Sequence, residues 1–544
     1  MQRSLCIMKT VKEYVVIVAE KRKDFMDADK VEKKHREDVK NSIGRFLFVG
    51  IALLVQLGWV VLFLFRLTEH YLMVSLIVRV LTVLVVLRIF GKHENAAMKM
   101  SWILTIMAAP ILGVVLYELR TRSNFIKTVS RRFNVIDREL QPYTVEDAEI
   151  QEKLRNLDRG AANQFYYLRS YANFPVYQNT DIRYYPEASE GLKAQIEEIR
   201  KAKHYIFMEY HAIEDKNAFL ALKTALIEKA KEGVLVRIFY DDVGSVGFIS
   251  PAFVRAMEAH GIECRVFNPI VPIVNLFMNN RDHRKITVID GTVGFTGGYN
   301  LADEYFNITH PHGYWKDVGI RMEGEAVHTL TMLFLEMWNT MEKSDRDYAK
   351  YLPEIHYSPK EPDAFAAPYA DSPLDEKRIG EDVYLNLIKN AKDYVYIMTP
   401  YLILTDDMSR ELCLAARRGV DVRIITPGKP DKKLVLKITQ SYFGSLASAG
   451  VRIYEYTPGF CHGKMAVSDD TMAVIGTINF DYRSLYHHFE NAVLLYRYKA
   501  ILDMKKDFEN CFSESMEQTE KYRSGRSTAL RIGHCLLRFI APLV

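Results

Sequence analysis

The sequence predicts an α/β protein with two tandem α/β/α halves related by pseudo-twofold symmetry and preceded by N-terminal transmembrane helices. A segment that carries His, Lys and Asp at one fixed spacing occurs twice, at 283–290 and at 462–469. Strand and helix patterns follow one another in the same order before each copy, which indicates an internal repeat. The long apolar segments lie in the N-terminal part, and 544 residues are too many for one ordinary domain.

The N-terminal part begins with a charged tail. Residues 1–45 contain twelve Lys or Arg and eight Asp or Glu, and no short apolar core with a cleavage site follows, so we do not expect a cleaved signal peptide. The region 46–120 carries apolar segments that predict two or three transmembrane helices: 46–65, 71–87 and 101–117. The first of these is uncharged for twenty residues, which is enough to span a bilayer.

Basic residues flank this apolar region on both sides, in the tail and in a basic connecting segment at 121–160. The positive-inside rule places both flanks in the cytoplasm, whereas three spans would separate them. Two spans with one interfacial or re-entrant segment satisfy the rule. Arg79 marks the segment 71–87 as the exception, because an arginine inside a membrane is costly. We therefore expect a multi-pass protein of the cell membrane with a cytoplasmic catalytic region.

Alternating strand and helix patterns from about residue 160 predict the catalytic region. A Pro-rich stretch between the two halves predicts a linker, and the chain ends in a basic amphipathic segment. For that last segment, an interfacial membrane helix and a helix docked on the catalytic core are about equally consistent with the pattern. The predicted boundaries are 161–345 for the first half, 346–375 for the linker, 376–518 for the second half and 519–544 for the C-terminal segment.

The repeated motif has the form H-x-K-x4-D, and each copy is followed by a glycine-led segment that ends in Asn. Alternating apolar residues after each Lys predict a β-hairpin, so that the His and the Lys share one face. The Asp lies an odd seven residues from its His, at the turn, where we expect it to fix the hairpin. The candidate site residues are His283, Lys285, Asp290 and Asn300 in the first copy and His462, Lys464, Asp469 and Asn479 in the second.

Two such hairpins would place two imidazoles, two ammonium groups and two amides around one phosphate. One imidazole can attack phosphorus, and the other can protonate the leaving alkoxide and then deprotonate an incoming alcohol. The lysines and asparagines would stabilise charge on the phosphate oxygens. The residues therefore predict phosphoryl transfer through a phosphohistidine with no metal and no cofactor. The six cysteines are scattered without a C-x-x-C pair, which argues against structural zinc.

These motifs resemble the phospholipase D superfamily, and four longer stretches resemble its bacterial cardiolipin synthase branch: 280–285, 297–305, 315–317 and 476–484. The resemblance implies that a carboxylate about 30 residues after each His orients an imidazole. Asp317 and Glu490 lie at those offsets. The resemblance also implies that His283 of the first copy is the nucleophile. It implies that His462 is the acid when the first alkoxide leaves and the base when the second alcohol attacks.

The resemblance further implies a membrane enzyme that transfers a phosphatidyl group between two phosphatidylglycerol molecules, giving cardiolipin and glycerol. A phospholipase D-type hydrolase and a transferase that uses another alcohol share the same site chemistry. A nuclease fits poorly, because the net charge of +4 is nearly balanced. We expect phosphatidylglycerol and anionic membrane lipids as partners and no nucleic acid. The apolar run 269–278, interrupted by prolines, predicts a loop that touches lipid, and the oligomeric state stays open.

Overall fold

The computed structural model of the chain describes residues 72–121, 124–144, 148–269, 280–342, 345–375, 377–523, 533, 535–539 and 541–543, with scattered positions between 51 and 62. The predicted tail at 1–45, most of the predicted span at 46–65 and the predicted lipid-touching loop after residue 269 lie outside the described residues. Among the described residues, no helix has both the length and the apolar character needed to cross a membrane.

Helices fill the described part of the chain before the first sheet. The first of them exposes much of its apolar surface, with Leu81, Leu84 and Leu87 each more than half exposed. In chain order the helices are α1 Leu72–Phe90, α2 Ala96–Ala108, α3 Pro110–Thr121, α4 Asn124–Leu140, α5 Ala148–Leu157 and α6 Arg159–Ser170. The last three cover most of the predicted basic connecting segment, and α4 buries Phe133 and Ile136 in the core between the two halves.

The third predicted span, 101–117, is wrong as a single helix. The chain reverses between α2 and α3, so that the rings of Trp102 and Tyr117 meet edge to face with centroids 5.6 Å apart. Pro110 starts α3, where its missing N–H costs nothing. A Cβ on Gly113 would lie 2.6 Å from the Cα of Ile106, so only glycine permits this close approach. Residues 101–117 therefore form a helical hairpin, whereas 71–87 forms most of the single helix α1.

The first half contains a seven-stranded sheet in the order β1-β9-β7-β6-β2-β3-β4. Its strands are β1 Thr180–Tyr185, β2 Tyr205–Tyr210, β3 Leu235–Asp241, β4 Ile262–Phe267, β6 Lys285–Ile289, β7 Val293–Gly297 and β9 Gly319–Gly324, with the short β5 Arg281–Asp282 and β8 Tyr314–Lys316 outside it. Its helices are α7 Ala188–Ile199, α8 Asn217–Lys231, α9 Pro251–Ala259 and α10 Val327–Met341. Strands β6 and β7 are the hairpin that the first motif predicts.

The second half repeats this sheet order as β10-β17-β16-β15-β11-β12-β13, with β18 added at the edge. Its strands are β10 Phe365–Asp371, β11 Tyr394–Met398, β12 Asp421–Pro427, β13 Arg452–Tyr456, β14 Gly459–Cys461, β15 Met465–Ser468, β16 Met472–Gly476, β17 His488–Tyr496 and β18 Ser515–Glu517. Its helices are α11 Ile379–Asn390, α12 Asp406–Arg417, α13 Lys433–Ala449, α14 Tyr482–Tyr486, α15 Lys499–Ser513 and α16 Thr519–Arg523. The matching order confirms the predicted internal repeat.

The two halves share one hydrophobic core. Helix α10 is buried along nearly its whole length and contributes Phe334 and Met337 to a cluster that also contains Met465 and Phe489 of the second half. Two short parallel pairings join the halves through the backbone, β5 with β17 and β8 with β14. Burial of this much apolar surface fixes one half against the other, so residues from both halves can form one site.

One boundary prediction needs correction. The predicted linker, 346–375, contains β10, which pairs with β17, so the second half begins earlier than residue 376. Pro368 is tolerated in β10 because β10 is the edge strand of its sheet.

The described part of the C-terminal segment docks on the rest of the protein. Arg538 Nη2 donates to the carbonyl of Ser441 at 2.8 Å, and Ser101 Oγ of α2 donates to the carbonyl of Phe539 at 3.0 Å. Ala541 is buried. Of the two predicted arrangements, the described residues adopt the docked one. Helix α2 is also held to the second half, because Asn95 Nδ2 donates to Tyr486 Oη at 3.1 Å.

Candidate active site

A cavity of about 490 Å³ opens where the two halves meet. Its lining contains the histidine of each motif, His283 and His462, and the asparagine downstream of each motif, Asn300 and Asn479. Both imidazoles are more than nine-tenths buried yet face this cavity. The structure thus brings the two predicted hairpins together around one space.

Each imidazole is held by a carboxylate from the opposite half. His283 Nδ1 lies 2.9 Å from both carboxylate oxygens of Glu490, and His462 Nδ1 lies 2.6 Å from Asp317 Oδ2. Both carboxylates are fully buried. A carboxylate on Nδ1 fixes the tautomer with the proton there, and so leaves Nε2 of each ring as the reactive nitrogen.

The short strands between the halves produce this crossed arrangement. Strand β5 runs beside the start of β17, and the N–H of His283 donates to the carbonyl of Phe489 at 2.9 Å. In the same way β14 runs beside β8, and the N–H of His462 donates to the carbonyl of Lys316 at 2.7 Å. Backbone pairing therefore sets each histidine beside the strand that carries the other half's carboxylate.

Burial and neighbouring cations keep both imidazoles neutral. Burial, together with the charge of Lys285, holds the pKa of His283 well below its usual value. Burial and the charge of Lys464 lower the pKa of His462 to about 4, although Asp317 opposes the shift. A neutral imidazole keeps the lone pair that a nucleophile needs.

The two motif lysines are buried beside the histidines. Lys285 Nζ donates to the carbonyl of His283 at 2.6 Å, and Lys464 Nζ lies 2.9 Å from each ring nitrogen of His462. Burial lowers the pKa of Lys285 to about 7 and that of Lys464 to about 8, because a low-dielectric surrounding disfavours the ammonium form. Both groups therefore titrate near neutral pH in the ligand-free site.

The two asparagines differ in their contacts. Asn300 Oδ1 accepts a hydrogen bond from the N–H of Ala212 at 3.2 Å, and Asn300 Nδ2 donates to Tyr305 Oη at 2.8 Å. The amide of Asn300 is therefore held in place by the first half. Asn479 Oδ1 is buried without a hydrogen-bond partner among the described residues. The Asn479 amide oxygen is thus open to a ligand in the cavity, whereas the Asn300 oxygen is occupied.

The two motif aspartates lie at the hairpin turns, and neither lines the cavity. Both have left-handed backbone, with φ of 51° at Asp290 and 52° at Asp469. Asp290 accepts the three backbone N–H groups of residues 203–205 at 2.8–2.9 Å, and Asp469 accepts those of residues 392–394 at the same distances. Each carboxylate thereby ties its hairpin to the start of the neighbouring central strand.

Several side chains around the imidazoles were not among the site residues predicted from the sequence. His211 and His488 flank His283, with ring centroids 5.1 Å and 5.5 Å away, and Tyr305 and Trp315 each lie 5.3 Å from His462. A signal for His488 exists in the sequence, because in a strand it shares a face with a residue two positions on, which is Glu490. His211, which follows β2, carries no comparable signal.

Two protein-family models match the chain, and one of them covers both motifs. The family model described as "Cardiolipin synthase, PLD-like domain" matches residues 195–338 and 384–512, which together contain both motifs. The model "Phospholipase D-nuclease N-terminal" matches residues 80–117. These matches confirm the resemblance that the doubled motif indicated.

Similar proteins extend over most of the chain. An uncharacterised protein of Streptococcus mutans is 39% identical over 84% of this chain and 99% of its own length. A cardiolipin synthase of Halalkalibacterium halodurans is 31% identical over 86% of this chain and 93% of its length, and cardiolipin synthase 2 of Bacillus cereus is 33% identical over 84% and 88%. The solved phosphatidylserine synthase of Haemophilus influenzae aligns with a TM-score of 0.50 and 14% identity, over 67% of this chain and 95% of that chain, a likeness of fold.

Proposed function

The chain belongs to the cardiolipin synthase family of phospholipase D-like proteins, and we propose that it transfers a phosphatidyl group from one phosphatidylglycerol to another. The products are cardiolipin and glycerol. The observation that carries this proposal is the pair of buried imidazoles, each held on Nδ1 by a carboxylate and both facing one cavity. A phosphodiester that enters between the two rings meets a nucleophile on one side and a proton donor on the other.

In the first step His283 Nε2 attacks phosphorus. A P–N bond forms, the bond from phosphorus to the glycerol oxygen breaks, and His462 gives a proton to that oxygen so that neutral glycerol leaves. Burial keeps His462 neutral in the ligand-free site, and the ammonium of Lys464, 2.9 Å from its ring nitrogens, is the neighbouring source of that proton. Asp317 stabilises the imidazolium that forms.

In the second step the 3-hydroxyl of another phosphatidylglycerol occupies the place that glycerol left. His462 takes the hydroxyl proton, the oxygen attacks phosphorus, and the P–N bond to His283 breaks. The phosphoryl oxygens carry added negative charge in both steps. Lys285 supplies positive charge and the Asn479 amide a hydrogen-bond donor for them. Lys464, which gives up its proton in the first step, regains it from His462 in the second. The chain therefore supplies nucleophile, acid, base and charge stabilisation from its own side chains.

We also propose that this is a multi-pass protein of the cell membrane, with phosphatidylglycerol and other anionic lipids as partners. Three features support this proposal: the uncharged segment 46–65, the exposed apolar surface of α1, and the match of residues 80–117 to an N-terminal family model. The α2–α3 hairpin returns the chain to the side from which it came. The basic tail and the catalytic region then share the cytoplasmic side, in agreement with the positive-inside rule.

The decisive experiment gives the purified full-length protein phosphatidylglycerol as its only lipid. We expect cardiolipin and glycerol in equal amounts, measured by lipid mass spectrometry and an enzymatic glycerol assay. The His283→Asn variant is the control and should form neither product. Phosphatidic acid as the dominant product would identify a hydrolase that uses water, and the transferase assignment would then be wrong.

A further inference from the structure

A third imidazole in the cavity has no place in the reaction described above. His488 lines the cavity, its side chain is 10% exposed, and neither of its ring nitrogens has a hydrogen-bond partner among the described residues. Its Nδ1 lies 3.6 Å from Glu490 Oε1. Buried polar groups in folded proteins are nearly always hydrogen-bonded, so an imidazole that faces an open cavity without a hydrogen bond is a candidate ligand for a bound group.

The strand pairing between the halves brings this imidazole to the nucleophile. His488 begins β17, and it shares a face with Glu490 because side chains two positions apart in a strand point the same way. His488 pairs in parallel register with Arg281 of β5, two residues before His283. The rings of His283 and His488 are 5.5 Å apart. One ligand atom each from His283, His488 and Glu490 lies within 4.8 Å of the other two.

Two imidazoles and a carboxylate form a ligand set that zinc uses, with a fourth position left open to solvent or substrate. Neutral imidazole is the form that binds a metal. The negative charge of Glu490 favours a cation at this place, whereas the nearby ammonium groups of Lys285 and Lys464 oppose it. The balance favours reversible binding over a permanent structural site.

We propose that a divalent transition-metal ion of the zinc class binds to His283, His488 and Glu490 and inhibits the enzyme. The ion engages the ring of the nucleophile and takes the carboxylate that orients it, so phosphorus cannot be attacked. The metal is an inhibitor of this site and has no part in catalysis. EDTA should accordingly leave turnover intact and should restore activity that zinc has removed.

Binding is tested on the full-length protein after treatment with EDTA and its removal, by calorimetric titration with ZnCl2. We expect one saturable site per chain. His488→Asn and His488→Gln should each weaken zinc binding by at least about tenfold, which is the loss that even an outer-shell substitution causes. The matched control is His312→Asn, which removes a histidine of the same cavity that lies beside Trp315 and Phe460, away from the cluster. It should keep the zinc affinity.

Thermal unfolding in the absence of metal establishes that each variant is folded before it is titrated. Absence of a saturable site in the unmodified chain would overturn the proposal, as would equal zinc affinity of the unmodified chain and both folded His488 variants. Mg²⁺, which prefers oxygen ligands, should not compete. The inhibition rests on the proposed function, but the binding does not. Zinc that binds an enzyme making phosphatidic acid would refute the transferase assignment and support the metal site.

Discussion

Glu490 and Asp317 each orient an imidazole that the other half supplies, and this crossing has kinetic consequences. Glu490 should serve the nucleophilic step at His283, and Asp317 should serve proton transfer at His462. A substrate with a good leaving group does not need the acid in the first step. With such a substrate, the His462→Asn and Asp317→Asn variants should accumulate an acid-labile phosphatidyl adduct at His283. Glu490→Gln should slow adduct formation by about two to four powers of ten.

Mass spectrometry of the quenched enzyme locates the adduct, and rapid-quench kinetics gives its rate of formation. Unmodified enzyme under the same conditions is the control, and its adduct should turn over to product. An adduct on His462 would reverse the roles of the two histidines. Slow adduct formation in Asp317→Asn, with normal formation in Glu490→Gln, would contradict the crossed assignment.

The buried lysines predict a fall in activity on the alkaline side. Burial lowers the pKa of Lys285 to about 7 and that of Lys464 to about 8. A lysine is cationic below its pKa, so positive charge is lost as the pH rises through these values. Because kcat/KM reports ionisation of the free enzyme, kcat/KM for phosphatidylglycerol should fall across this range. The kcat should persist to higher pH, because a bound phosphodiester anion favours the ammonium form.

Initial rates in buffers of constant ionic strength test this dependence. Lys285→Arg keeps a charged side chain at every pH used, so its remaining kcat/KM should fall less over the same range. A value of kcat/KM for the unmodified enzyme that stays flat through about pH 9 would contradict the role of the lysines.

At the scale of single elements, we expect the two turn aspartates to act on stability and not on chemistry. Asp290→Ala removes an acceptor shared by three backbone N–H groups and places Ala in left-handed backbone. We expect a loss of about 1–3 kcal/mol in the free energy of unfolding, seen as a fall of about 1–3 °C in Tm. Asp469→Ala should behave alike. Asn at either position keeps one acceptor oxygen and tolerates the left-handed region, so it should lose less.

Calorimetry and turnover per folded molecule separate these two effects. Activity of the folded fraction should stay near that of the unmodified enzyme. A variant that keeps its Tm but loses turnover would show that the aspartate acts in the reaction.

Elements whose apolar residues recur with a clear periodicity could be predicted from the sequence, and elements without such a periodicity could not. The motif hairpins follow from alternating apolar residues on both sides of a turn, and the structure contains them. The α2–α3 reversal was missed because an apolar stretch has the same composition whether it is straight or folded back. The reversal depends on the contact between Gly113 and Ile106. The strands that cross between halves have two or three residues, which is too short for any periodic signal.

At the scale of the whole molecule, the repeat was visible in the sequence but its assembly was not. The order of strands before His283 and His462 recurs, so two similar halves could be predicted. Which carboxylate serves which histidine depends on how the halves pack, and that packing is set by α10 and the core around it. His488 was missed for the same reason, because its neighbour His283 lies 205 positions away in the chain and the pairing of β5 with β17 brings the two together.

The hairpin also decides the predicted membrane topology. On the proposal that 46–65 and the predicted segment 71–87 are the two spans, the tail and residue 121 lie on the cytoplasmic side and the loop between the spans lies outside. Single cysteines are introduced as Asn41→Cys, Thr68→Cys and Thr121→Cys in a chain whose native cysteines are replaced by Ser. A membrane-impermeant maleimide should label only the Thr68→Cys chain in intact cells, and all three after lysis. The physical reason is that α2 and α3 pack against each other, as the contact between Trp102 and Tyr117 shows, so under this proposal the third segment enters and leaves on one side. Labelling of the Thr121→Cys chain in intact cells would mean that the third segment crosses the bilayer, and the basic flank after α3 would then violate the positive-inside rule.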